Sequence, residues 1–206
     1  MKLEKIEATA THDRVKLCME DGSSLRVPTT VAEDLGLRAG LELDDDDLSR
    51  IREAAGKASA KLRAVRIVAA SGVSKQELRR RLRQKGESQE NADEAVQWLE
   101  SLKLLDDREA ARRIVERGVA RGYGKARIRQ MLYEKGVGRE LWDEALAAMP
   151  RMDDAIDRYL SAHLGRREPD RKELKKITDA LFRRGYGWEE IRAALARRQV
   201  SLEDEV

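Results

Sequence analysis

Arg121-Gly122-Tyr123-Gly124 and Lys135-Gly136-Val137-Gly138 share one small pattern: a helix-ending residue, Gly, any residue, then Ser or Gly. The pattern recurs as Ser71-Gly72-Val73-Ser74, Lys85-Gly86-Glu87-Ser88 and Arg184-Gly185-Tyr186-Gly187. Each copy predicts one helix closing and another opening. The Gly is expected in the left-handed conformation, which only Gly adopts at little cost. An apolar residue after it can fold back on the last turn, as Val73, Tyr123, Val137 and Tyr186 can and Glu87 cannot. The final Ser or Gly then caps the next helix. Links this short force consecutive helices to cross at a sharp angle.

The spacing is regular. Gly72 to Gly86 is 14 residues, as is Gly122 to Gly136; each pair member recurs after 50 residues, and Gly136 to Gly185 is 49. Core positions repeat in step: Leu82, Leu132 and Leu181 lie four before the second-link Gly, and Ala95, Ala145 and Ala194 nine after it. Val96, Leu146 and Leu195 follow at ten. The reading is a mainly α protein of three tandem three-helix repeats, forming an elongated curved array. Helices are predicted near 58–70, 74–85 and 88–102, then 106–121, 124–135 and 138–149, then 152–163, 170–184 and 187–198. The third repeat is irregular: Gly165-Arg166-Arg167-Glu168-Pro169-Asp170 replaces its first link, and Pro169 with Asp170 restarts the helix.

Upstream lie Ile6–Thr9, Arg14–Met19 and Ser24–Val27, short alternating segments with an Asp21-Gly22 turn signal between the last two. They predict a small N-terminal segment containing a β-hairpin, with Cys18 as a strand residue rather than a nucleophile. Thr30 can cap a short helix from Val31 to Leu35 that stops at Gly36. Asp44-Asp45-Asp46-Asp47 lacks the alternation, Gly and terminal Glu of a calcium loop. Placed before Leu48, the run suits a helix N-terminus, where the dipole favours anions. Gly56 is expected to mark the boundary. The domain reading is therefore 1–56 for the N-terminal segment, 57–104, 105–150 and 151–200 for the repeats, and 201–206 for an acidic tail.

Of 206 residues, 42 are Lys or Arg and 39 Asp or Glu, a net +3. The balance is uneven: residues 1–58 carry 9 basic and 13 acidic side chains, and the rest carry 33 and 26. Arg supplies 29 of the basic residues, and its planar fork suits phosphate and carboxylate. A basic, Arg-heavy body points to a polyanionic partner, nucleic acid or an acidic protein surface, or else simply to solvated helix faces. One Cys and two His exclude an internal disulfide framework and leave almost no material for a zinc site. No apolar run approaches membrane-spanning length and no signal core opens the chain, so a cytoplasmic setting is expected.

Within each helix the basic residues flank an apolar stripe. Arg79, Arg80 and Arg83 fall roughly opposite Leu78 and Leu82. Arg112, Arg113, Arg117 and Arg121 lie outside the stripe of Ala111, Ile114, Val115 and Gly118. Lys125, Arg127 and Arg129 flank Ile128, Met131 and Leu132. Residues 108–129 hold eight basic and two acidic side chains. These ten positions, Arg79 to Arg129, are the candidate contact residues. Trp98, Trp142 and Trp188 occupy non-equivalent repeat positions and are read as core residues in preference to base-stacking ones; His12 and His163 have no partner spacing.

The order of these features resembles the RecX family over about Lys5 to Arg198. The residues that carry the resemblance are Ser74-x-x-Glu77-Leu78-x-x-x-Leu82-x-x-Lys85-Gly86, Leu104-Leu105-Asp106-Asp107, Arg121-Gly122-Tyr123-Gly124 and Arg184-Gly185-Tyr186-Gly187. The resemblance implies a bacterial regulator of the recombinase RecA, acting in homologous recombination, DNA repair and the SOS response. Such a protein binds in the groove of the RecA filament on single-stranded DNA and mostly inhibits ATP hydrolysis, strand exchange and co-protease activity. It implies no catalytic residues and no cofactor, and a monomer is expected. Departures from the family pattern are the four-Asp run, Glu87 in place of an apolar residue, and Pro150 directly after the second repeat.

Two other classes remain open. A direct, non-specific single- or double-stranded DNA-binding repeat protein would also use the Arg clusters, although no helix start carries an Asn, Gln and Arg mixture suited to base reading. An enzyme is not expected: residues 118–126 resemble a phosphate loop only loosely, with Val119 at the first Gly position and Ala126 in place of the magnesium-binding Ser or Thr.

Overall fold

The computed structural model describes residues 1–11, 13–164, 169–198 and 200. They form two compact units, one of Met1–Ser71 with Glu77–Leu105 and one of Gly72–Gln76 with the residues from Asp106 onward. His12, residues 165–168 of the irregular link, and the acidic tail at 201–206 lie outside the described residues.

The first unit opens with a three-stranded antiparallel sheet in the order β1 (Leu3–Ala8), β2 (Arg14–Met19), β3 (Ser24–Pro28). The β2–β3 turn is built as Asp21-Gly22 predicts: Gly22 has φ +83°, and the Asp21 carboxylate accepts the Ser23 amide at 2.9 Å. Leu17 pairs with Ile6 and Leu25, and its side chain is fully buried. The short helix α1 (Thr29–Asp34) ends before Gly36, whose φ is +61°. Helix α2 (Asp45–Ala70) then runs for 26 residues. Asp44 caps it, accepting the Asp47 amide at 2.7 Å while the Asp47 carboxylate accepts the Asp44 amide at 3.3 Å, and Asp45 to Asp47 fill its first turn. The four-Asp run is thus a helix start, with its anions at the positive end of the dipole.

The helix expected at 58–70 is the second half of α2, which passes through Gly56 without a break. Its face carrying Leu48, Ile51 and Ala55 buries against the sheet residues Leu3, Leu17, Met19 and Val27. That packing outweighs the roughly 1 kcal/mol helix penalty of one Gly. Helices α3 (Lys75–Gln84) and α4 (Gln89–Ser101) complete the first repeat, with Leu78, Leu82, Ala95, Val96 and Leu99 fully buried.

The second unit carries α5 (Asp107–Ala120), α6 (Lys125–Glu134), a 3-10 turn at Arg139–Leu141 leading into α7 (Trp142–Ala147), then α8 (Asp153–His163), α9 (Arg171–Arg183) and α10 (Trp188–Arg197). Each repeat has its own core. Ile114, Val115, Ile128, Leu132 and Val137 form one; Ile156, Leu160, Leu181, Tyr186, Ile191 and Leu195 form the other. Each such fully buried aliphatic side chain contributes about 1.5–3 kcal/mol of transfer free energy. Asp170 caps α9 reciprocally with Glu173, as expected for the helix restart.

The links behave as the spacing predicts, with one exception. Gly86, Gly122, Gly136 and Gly185 have positive φ. The amides that follow, of Glu87, Tyr123, Val137 and Tyr186, donate back to the carbonyls of Leu82, Gly118, Leu132 and Leu181, which is the closure expected after a left-handed residue. Gly72 does not have positive φ; Ser71 ends α2 in an extended conformation instead. The Arg113 side chain lies over Gly72, 2.8 Å from where a Cβ would stand.

The links also dock on one another by a repeating rule. The first link of one repeat meets the second link of the next. The Ser74 hydroxyl donates to the Lys135 carbonyl, and the Gly124 amide donates to the Arg184 carbonyl at 2.8 Å. Lys135 and Arg184 are equivalent positions, 49 residues apart. The carbonyl of Lys85, equivalent in the first repeat, has no preceding first link to serve it. Arg63 of α2 serves it instead, donating to Lys85 at 2.6 Å and pairing with the Glu87 carboxylate at 3.1 Å. This explains why Glu87 departs from the apolar residue of the other links.

Candidate functional site

The ten candidate cations separate by what they touch. In the first unit, Arg79 donates to Asp93 at 2.7 Å. Arg80 and Arg81 share Glu77, a carboxylate only 3% exposed, with Arg80 Nε at 2.9 Å and Arg81 Nε at 2.8 Å. Arg83 is exposed and meets no acidic side chain among the described residues. In the second unit Glu109 accepts from both Arg112 and Arg113, the latter at 2.8 Å. Arg127 faces Glu134 at 3.6 Å, and Arg129 faces Asp143 at 3.7 Å.

Arg117, Arg121 and Lys125 are exposed and pair with no acid among the described residues. The Arg117 guanidinium reaches only the Arg113 carbonyl, at 3.2 Å. All three stand at the corner where α5 closes and α6 opens. The corner is closely packed. Gly124 packs so closely on the opposing link that a Cβ there would lie 2.3 Å from the Gly185 carbonyl oxygen. The Ala126 amide donates to that carbonyl at 3.1 Å, and the Tyr186 hydroxyl donates to the Gly122 carbonyl at 2.8 Å. Burial raises the Tyr186 phenol above its ordinary pKa, against the pull of the neighbouring Arg184. Three uncompensated cations on a fixed corner hold a local positive potential for an anionic partner.

Some of this was readable. Glu77-x-x-Arg80-Arg81 and Glu109-x-x-Arg112-Arg113 place acid and base at helical i,i+3 and i,i+4 spacing. Arg79–Asp93 and Arg129–Asp143 are one ion pair repeated 50 residues apart, visible only once the repeat is laid over itself. Trp98 and Trp142 are half-buried as core residues, the Trp142 indole donating to the Val137 carbonyl at 3.0 Å. Trp188 departs from the core reading: it is 44% exposed. His163 stacks on Tyr159, with ring centroids 4.0 Å apart. Among the described residues no group of His, Cys, Asp and Glu could hold a metal ion, and no helix is long and apolar enough to cross a membrane.

A sheet-led first unit and Gly-linked three-helix repeats, with cations on exposed corners, define a modular helical-repeat protein. Residues 106–146 match the RecX second three-helix domain and residues 158–195 the RecX third three-helix domain. Over these two stretches, both in the second unit, the chain is similar to the RecX family. Its fold is that of a crystal structure of a regulatory protein RecX, with TM-score 0.65 and 23% identity over 93% of this chain and 98% of that one. RecX from Lactobacillus salivarius is similar at TM-score 0.61 and 17% identity, over 70% of this chain and 97% of that one. No curated protein sequence matches the chain.

Proposed function

We propose that the protein binds the RecA nucleoprotein filament in its groove and inhibits ATP hydrolysis, strand exchange and co-protease activity. The observation that carries the reading is the α5–α6 corner, where Arg117, Arg121 and Lys125 are exposed without acidic partners on a backbone held by link-to-link hydrogen bonds. Arg83 adds an uncompensated cation in the first unit. Arg79, Arg80, Arg112, Arg113, Arg127 and Arg129 already meet carboxylates, so they contribute less net field. The partner is a polyanion-bearing filament, met by the protein as a monomer, and contact strength falls with salt as counterions are released and exposed charges are screened.

Changing Arg117, Arg121 and Lys125 together to Ser tests this reading. These residues are exposed, so the fold should persist. The expected result is a marked loss of inhibition of RecA ATP hydrolysis and a shallower salt dependence. A folded variant that inhibits like the parent at moderate salt would remove this corner from the working surface.

A further inference from the structure

The third repeat carries a surface that the other two lack. Phe182 and Trp188 are 45% and 44% exposed, and their rings lie 6.2 Å apart and nearly parallel, at 9°. Laying the repeats over one another at the 49- and 50-residue periods puts Tyr133 and Arg83 at the Phe182 position, and Arg139 and Gln89 at the Trp188 position. Tyr133 gives the second repeat one ring at the first of these places, but neither earlier repeat has a ring at the second, so the scaffold folds without the aromatic pair. Trp188 opens α10 and Phe182 closes α9, so the link at Gly185 fixes the pair against each other.

The charge around the pair changes as well. Arg192 stands where the first two repeats have Asp93 and Asp143, and Thr178 where they have Arg79 and Arg129. The repeated ion pair is thus replaced by one exposed Arg192 without an acidic partner among the described residues. Along α9, Lys172, Lys175, Lys176 and Arg183 are exposed and likewise unpaired. At 100° per residue they fall within about 120° of Phe182, away from the buried Ile177 and Leu181. Asp179 shares that face, and Glu189 adjoins Trp188. The cations exceed the acids, and they line a helix that ends at exposed rings.

We infer that the α9–α10 corner is a single-stranded nucleic-acid contact, in which Phe182 and Trp188 stack on bases while the α9 cations and Arg192 hold phosphates. Flat π-faces accept any base, and cations track the backbone, which is how strands are bound without sequence preference. Duplex DNA keeps its bases stacked inside and cannot use the rings. An acidic protein surface would use the cations but would gain nothing from parallel exposed rings.

The experiment is fluorescence anisotropy of the full chain with a labelled dT20 strand, the matching duplex and a labelled poly-Glu peptide. The parent should prefer dT20 to both. Phe182→Ala with Trp188→Ala should weaken dT20 binding at least about fivefold, the low end for loss of one stacked base, and leave duplex binding unchanged. Trp188→Phe keeps a π-face and should retain most of the affinity. Lys172→Ser with Lys175→Ser and Lys176→Ser should reduce the salt slope of dT20 binding. In a Trp98→Phe/Trp142→Phe chain, dT20 should quench the emission of Trp188. Unquenched Trp188, equal losses on strand and duplex, or a parent that prefers poly-Glu would each overturn the proposal, the last assigning the corner to an acidic protein.

Discussion

Replacing Gly124 by Ala opposes two effects of known sign. Gly124 has φ −76° and ψ 170°, an extended conformation open to any residue. Backbone freedom alone would make Ala stabilising by about 0.4–1 kcal/mol. The packing says the reverse. A Cβ would stand 2.3 Å from the Gly185 carbonyl oxygen, 2.5 Å from its carbon and 2.7 Å from the Tyr186 nitrogen. All three are main-chain atoms, so no rotamer change relieves the overlap and the two links must separate. Separation removes the Gly124 to Arg184 hydrogen bond at 2.8 Å, the Ala126 to Gly185 bond at 3.1 Å and the Tyr186 to Gly122 bond at 2.8 Å. At about 1 kcal/mol each, the loss is roughly 3 kcal/mol, and the net destabilisation after the entropy gain is about 2 kcal/mol. Gly187 is the matched control: its dihedrals are φ −79° and ψ 161°, but a Cβ there meets only a Glu190 carboxylate oxygen at 3.5 Å. Gly187→Ser supplies a capping hydroxyl in open space and should be neutral or slightly stabilising. Urea unfolding followed by circular dichroism, with amide exchange read at Gly124 and Ala126, makes the comparison. If Gly124→Ala unfolds within about 0.5 kcal/mol of the parent, the range of an ordinary surface change, the link-to-link contact does not hold the second unit together.

The substitute for a missing link at the start of the array gives a second expectation. Arg63→Ala leaves the Glu87 carboxylate, whose side chain is 9% exposed, without its partner, and should cost about 1–3 kcal/mol. The same change in a Glu87→Val background should cost less, so a denaturation cycle with no coupling between the two positions would contradict the pairing. The Tyr186 phenol titrates above its ordinary value of 10.0 because it is buried. The folded protein therefore holds this proton more tightly than the unfolded chain does. The associated stability is fully present below pH 10.0 and is lost as pH rises through the higher folded value. Tyr186→Phe should lose the bond to Gly122 at neutral pH yet show a shallower fall in urea midpoint above pH 10.0 than the parent; parallel curves would show that the phenol is not held protonated by the fold.

The repeats were legible because their punctuation is chemical. A left-handed residue after a helix is cheap only for Gly, so the positions of Gly86, Gly122, Gly136 and Gly185 mark the corners directly. Gly56 carried the same letter without the same meaning: sheet packing along α2 overrides a weak propensity. Gly72 shows the converse, a Gly in the same pattern whose link opens through an extended Ser71 without a left-handed turn. At the candidate surface, sequence periodicity found which Arg residues face outward. It did not separate Arg79, neutralised by Asp93 from another helix, from Arg117, which has only a carbonyl within reach. That distinction depends on which corners the links bring together. The exposure of Trp188 was hidden for a similar reason, since its ring rests against Phe182 across a link instead of entering the core.

The account turns on whether this chain recognises a RecA filament as such. The direct measurement is co-sedimentation of the full chain, at moderate salt, with RecA filaments assembled on single-stranded DNA and, in parallel, with the same DNA alone and with RecA alone. Recognition of the assembled filament predicts that most of the protein sediments with the filament and much less with either component at equal concentration, and that Arg117→Ser/Arg121→Ser/Lys125→Ser stays in the supernatant. Equal retention on bare DNA and on filament would contradict it and leave a general DNA-binding repeat protein.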